Sequence, residues 1–192
     1  MPPTQRELHQ RLGIGMRANH ARVAELARPL DPERLVRRPT PGKWSVAETV
    51  EHLLLMDELF LPVVLAHVRG AGARAGTRAG VDAAAPLRQF RPTFLGRMVV
   101  SSLEKPKALV APKVGRPLTP RAAVIEQFLT EDSRYLAAMD DAASLDWSAH
   151  RFAPPMAPWI PLRLNLGDAF RVHEVHVRRH IAQIERTIAA TA

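Results

Sequence analysis

Two histidines four residues apart, His176 and His180, stand in the stretch Arg171-Val172-His173-Glu174-Val175-His176-Val177-Arg178-Arg179-His180. On a helix, residues i and i+4 project from one face on successive turns, so these imidazoles can share one metal ion. A third histidine, His52, follows Trp44-Ser45-Val46-Ala47-Glu48-Thr49-Val50-Glu51 and completes a facial set if its helix faces the first. Three neutral imidazoles suit zinc, nickel, iron or copper and leave a position open for water or substrate. This is the pattern of a reactive metal site rather than a closed structural one. We expect one divalent ion, zinc or nickel foremost.

A metal-bound imidazole gives its other N–H to an acceptor. Gln183, one turn after His180, is a candidate for that role. Glu48, one turn before His52, is another, although it also stands at the start of a helix. His173 lies on nearly the same stripe as the pair, and we expect it at the rim of the site as an outer partner or substrate contact. His9, His20, His67 and His150 have no partner at ligand spacing and are taken as surface residues. Glu51, Asp57 and Glu174 are taken as solvated, and Trp44 as a core anchor. No catalytic base can be named.

The elements that must position these groups read as four long helices. The first is expected from about Thr4 to Leu30, with Leu8, Leu12, Met16, Val23 and Leu26 at near-helical spacing and Pro29 and Pro32 ending it. A turn-rich connection follows. Ser45 and Glu48 form a capping box for the second helix, with Trp44 as a staple on Thr49 or Val50. That helix runs to about Arg69, with a kink at Pro62. Gly70 to Gly80 reads as a mobile loop. A short helix is expected over Thr93 to Leu103, then an extended stretch from Lys105 to Pro117. Thr119 caps the third helix with Pro120 in its first turn, and Asn165 caps the fourth with Asp168 in its first turn. The fold class is therefore all-α, a four-helix bundle with a long irregular connection between the second and third long helices.

The 192 residues, 46% hydrophobic and 24% charged, suit one domain over 1–192. There is no cysteine, which excludes disulfides, thiolate metal sites and cysteine nucleophiles. Thiol chemistry needs a thiol from outside. No signal-peptide pattern or membrane-length apolar run occurs, and a cytoplasmic protein is expected. The net charge of +8 comes from scattered basic residues, and aromatic residues are only 5%. Nucleic acid is therefore not the expected partner; an anionic small molecule suits the charge.

Pro41-Gly42-Lys43-Trp44-Ser45-Val46-Ala47-Glu48 with His52, Ala111-Pro112-Lys113, and His176-x-x-x-His180-x-x-Gln183-Ile184 together resemble the DinB/YfiT superfamily of DNA-damage-inducible DinB-like proteins. The likeness covers most of the chain and rests on the order and spacing of the three motifs. Ala182 stands where many members have Gly, and the Gly/Arg-rich 70–80 stretch departs from the family. The resemblance implies an up-down-down-up bundle, a divalent metal on His52, His176 and His180, and a homodimer. It also implies chemistry of the thiol-dependent S-transferase kind, with a low-molecular-weight thiol as cosubstrate and a small electrophile as its target. Two other functions remain open: a non-catalytic metal-binding stress-response protein, and a hydrolase using metal-activated water. The second lacks an obvious base, since His173-Glu174-Val175-His176 is one residue short of a His-Glu-x-x-His spacing.

Overall fold

The computed structural model describes residues 2–75, 84–105 and 119–192. The expected extended stretch after Lys105, with Ala111-Pro112-Lys113, lies outside the described residues, as does the 76–80 end of the Gly/Arg-rich run. The structure is mostly helical. Among the described residues the helices are α1 (Gln5–Ala27), α2 (Pro32–Val36), α3 (Val46–Ala75), α4 (Phe94–Glu104), α5 (Val124–Asp141) and α6 (Leu166–Ala190), with two single 3₁₀ turns. One two-residue antiparallel ribbon pairs β1 (Arg151–Phe152) with β2 (Leu164–Asn165) just ahead of α6.

The helix starts are set by side chains that satisfy otherwise orphaned N–H groups. Thr4 and Glu7 form a capping box on α1, Ser45 and Glu48 on α3, and Asn165 and Asp168 on α6. Thr93 caps α4 through the Gly96 amide. α1 stops at Ala27, short of Leu30, and Asp31 caps the separate turn α2. α3 runs past Arg69 and carries Pro62 inside it, so the expected loop at Gly70 begins as helix.

The start of α5 differs from expectation. Thr119 and Pro120 do not begin it. The Arg121 amide donates to Glu51 on α3 at 2.9 Å, and Ala123 adopts a left-handed conformation at φ 57°. Helical hydrogen bonding can begin only beyond that reversal, at Val124.

α3 packs on α5 and α6, α1 packs on both of those helices, and α4 lies on α6. The apolar interior forms two clusters. One holds Leu8, Leu12, Phe60, Leu61, Tyr135, Trp147 and Phe170, and the other Val23, Val50, Leu53, Leu54, Phe128, Val177 and Ile184. Each fully buried side chain of this size contributes about 1.5–3 kcal/mol. On each of α1, α3, α5 and α6, buried polar residues fall between the stretches feeding the two clusters: Asn19, Asp57, Asp132 and His173.

α6 is anchored at its N-terminus by one carboxylate. Asp168 is fully buried and accepts from the Thr93 amide at 3.0 Å and the Asn165 amide at 3.3 Å, joining the starts of α4 and α6. Gly96 allows the approach, since a Cβ there would lie 2.1 Å from the Asp168 carboxyl. Gly96→Ala is therefore expected to destabilise the chain by about 1–3 kcal/mol through overpacking. Urea unfolding of the purified variant measures it.

Candidate metal centre

His52 projects from α3 and His176 and His180 from α6, two helices held face to face by the second apolar cluster. The Nε2 atom of His176 stands 3.1 Å from Nε2 of His52 and 3.1 Å from Nε2 of His180. Two nitrogens about 2.0–2.1 Å from one ion at the tetrahedral angle would stand about 3.3 Å apart. The three imidazoles therefore fit a shared cation, and they form a group able to hold one.

The protonation states fit as well. Burial, with His180 and His52 close by, pushes His176 well below the ordinary imidazole range, although the residue is partly exposed. Burial and His52 lower His180 to about 3, against a weaker opposing effect of Gln183. These two imidazoles are neutral near pH 7 and offer lone pairs rather than charges.

Gln183 sets the tautomer of His180. Its Oε1 lies 3.0 Å from His180 Nδ1, and its Nε2 donates to Thr49 Oγ1 at 3.4 Å, which orients the amide. Nδ1 then carries the proton, and Nε2 faces the other rings with its lone pair. Glu48 takes the other role the sequence offered it. Its carboxylate accepts from the Ser45 amide and pairs with Arg38.

Trp44 is not a core anchor. It is half-buried, tilted on His52 at 5.1 Å between centroids and stacked on His180 at 6.3 Å. A cavity of about 690 Å³ adjoins the site. Trp44 and Gln183 are part of its wall, and Lys43, Lys105, Arg178, Arg179 and Arg186 line it together with Glu104.

A model of the DinB superfamily matches residues 16–184. The chain belongs to the DinB superfamily. No curated protein and no solved structure matches it significantly. In this DinB-superfamily chain the matched span contains all three histidines of the group.

Several side chains lie elsewhere than the sequence suggested. His173 is not at the rim. It is 6% exposed, stacks on Tyr135 at 4.1 Å, and lies between Asp57 and Asp132. His20 is not incidental either, since its Nδ1 reaches Asp132 at 2.8 Å. Likewise, His9 reaches Asp140 at 2.8 Å, and His67 and His150 lie edge to face. Asp57, Glu51 and Glu174 are buried rather than solvated. Glu51 is matched by Arg121 at 2.9 Å and Glu174 by Arg178 at 3.3 Å. A signal for Asp57, Asp132 and His173 was present. Each falls in register with an apolar stripe, such as Phe128, Leu129, Asp132 and Tyr135 on α5. A charged residue in such a stripe is buried with its helix face.

The lowered histidines give a pH dependence in the chelator-treated chain. A folded-state pKa of about 3 against the ordinary 6.5 means that the unfolded chain binds the extra proton between those values. Stability is then full above pH 6.5 and falls as pH drops toward 3. Each such histidine contributes about 1.4 kcal/mol per pH unit inside the window. His180→Gln is expected to flatten the decline by about that amount per unit between about pH 6 and 5, measured by urea unfolding.

Proposed function

We propose that the chain is a metal-dependent enzyme that joins a low-molecular-weight thiol to a small electrophile. The observation that carries this reading is the convergence of three imidazole nitrogens beside a cavity rich in cations. His52, His176 and His180 would hold one divalent ion, zinc or nickel, with Gln183 fixing the ring of His180. Such an ion lowers the pKa of a thiol that reaches it. Because the chain has no cysteine, the nucleophile arrives with the cosubstrate. Its S–H proton would pass to solvent, its sulfur would form the new bond to the electrophilic carbon, and the leaving group would depart with the electron pair. Arg178, Arg186 and Lys43 would hold a carboxylate on the thiol. Trp44 would shield one side of the reacting groups from water.

The hydrolytic alternative is weakened by the state of the nearby acids, since Glu48 is spent on Arg38 and Ser45 and Glu174 on Arg178. We read α1, α3, α5 and α6 as an up-down-down-up four-helix bundle forming one domain, and the protein as a cytoplasmic homodimer. Among the described residues no helix is long and apolar enough to cross a membrane. Exposed Phe94 and Met98, one turn apart on α4, supply an apolar patch for a second copy.

A panel of low-molecular-weight thiols tests the chemistry. In the cobalt-substituted protein a productive thiol is expected to shift the visible spectrum, and turnover of an electrophile is expected to vanish in His52→Ala. Arg186→Ala is expected to raise KM for a carboxylate-bearing thiol by about 3–10-fold with kcat little changed, as for a partly exposed charged contact. No spectral response to any thiol would leave the non-catalytic metal-binding reading standing. Light scattering is expected to return twice the 21.3 kDa chain mass, and a monomer mass at every concentration would remove the dimer.

A further inference from the structure

The polar residues between the two apolar clusters form a second group of donors. Asp57 on α3, Asp132 on α5 and His173 on α6 each bring one ligand atom to within 4.8 Å of the others. All three side chains are at least nine-tenths buried. His173 Nε2 lies 3.1 Å from Asp57 Oδ1 and 3.3 Å from Asp132 Oδ1. Despite those lengths, both ring nitrogens of His173, Asp132 Oδ1 and Asp57 Oδ2 have no hydrogen-bond partner. Buried polar atoms without partners are costly and call for an explanation.

We propose that Asp57, Asp132 and His173 form a second cation site, separate from the three histidines, that takes a divalent ion such as manganese. Two donors about 2.1 Å from one ion at right angles stand about 3.0 Å apart, close to the separations found. Charge balance points the same way. At their meeting point the two buried carboxylates face only the His173 imidazole, with His20 on the outer oxygen of Asp132, and burial holds the Asp57 carboxyl above its ordinary range despite His173 beside it. A divalent ion neutralises both. His20, bonded to the far oxygen of Asp132 at 2.8 Å, would orient that carboxylate, and the Tyr135 ring packed on His173 at 4.1 Å would hold the imidazole plane. Carboxylate oxygens favour manganese, whereas the all-imidazole group favours zinc, nickel or copper.

The test is the number of Mn²⁺ ions bound by the full, chelator-treated chain, read from loss of the free-ion resonance in electron paramagnetic resonance. Asp57→Asn and His173→Gln, each nearly the size of the original, are expected to bind one ion fewer per chain than wild type, or to hold it at least about 10-fold more weakly. The His52→Ala/His180→Ala double variant is expected to keep that ion. Failure of the three-histidine reading shows instead as unchanged Zn²⁺ binding in the His52→Ala/His180→Ala variant, so the two readings fail separately. Equal counts in wild type, Asp57→Asn and His173→Gln overturn the proposal, as does a wild-type chain that binds no Mn²⁺. The wild-type titration decides even where a variant does not fold, because a count of zero already excludes the site.

Discussion

Ionisable groups taken out of water must be matched inside the protein, and this constraint governs how α1, α3, α5 and α6 meet. α3 turns Glu48, Glu51, His52 and Asp57 inward, and α6 turns His173, Glu174 and His180 inward. An unpaired charge there would cost more than a neighbouring leucine returns. Glu48 is met by Arg38 and Glu51 by Arg121 from other segments, Glu174 by Arg178 on its own helix, and Asp57 lies against His173. Asn19 of α1 adds a bond from its amide to the Glu174 carbonyl at 2.9 Å. A layer of polar residues thus separates the two apolar clusters. It fixes the axial register of the helices more sharply than apolar contact does, because polar partners have few acceptable positions.

The histidine group depends on that register. His52 meets His176 and His180 only if α3 and α6 are aligned to within a fraction of a turn. Asp168 holds the start of α6 against α4, and the contact between His173 and Asp57 aligns its next stretch with α3. Beyond it His176 and His180 face His52, and Gln183 ties the last of these to Thr49 on α3. The neutral state of His176 and His180 follows from the same packing. Dense surroundings disfavour charge, and rings placed together disfavour it further. The apolar shell that lowers these imidazoles also makes them ready ligands.

The cavity beside the group has the opposite character. Its cations lie on α6, near the end of α4 and, with Lys43, just ahead of α3, where hydration lowers the cost of like charges close together. Arg179 is partly committed, since its guanidinium donates to the Leu103 and Lys105 carbonyls at 2.9 Å and fastens the end of α4. Arg178 and Arg186 are exposed.

What the sequence by itself determined was local. The i, i+4 spacing of His176 and His180, the capping box at Ser45, the Asn165 cap and the Gln183 partner all lie within one turn of helix, where geometry follows from spacing alone. The placement of His52 opposite the pair was legible only in combination with the family likeness. Tertiary structure decided the rest. His20 meets Asp132 across 112 residues, and Asn19 meets Glu174 across 155. The start of α5 was decided by Glu51 on another helix, not by Thr119. Trp44 looked like core because it is large and apolar, yet it became a wall of the site because the rings of His52 and His180 lie against it. Asp57, Asp132 and His173 each looked like an ordinary polar residue in its own helix. Only the packing of three helices showed that they share one buried place, because burial belongs to the neighbours a residue acquires and not to the residue itself.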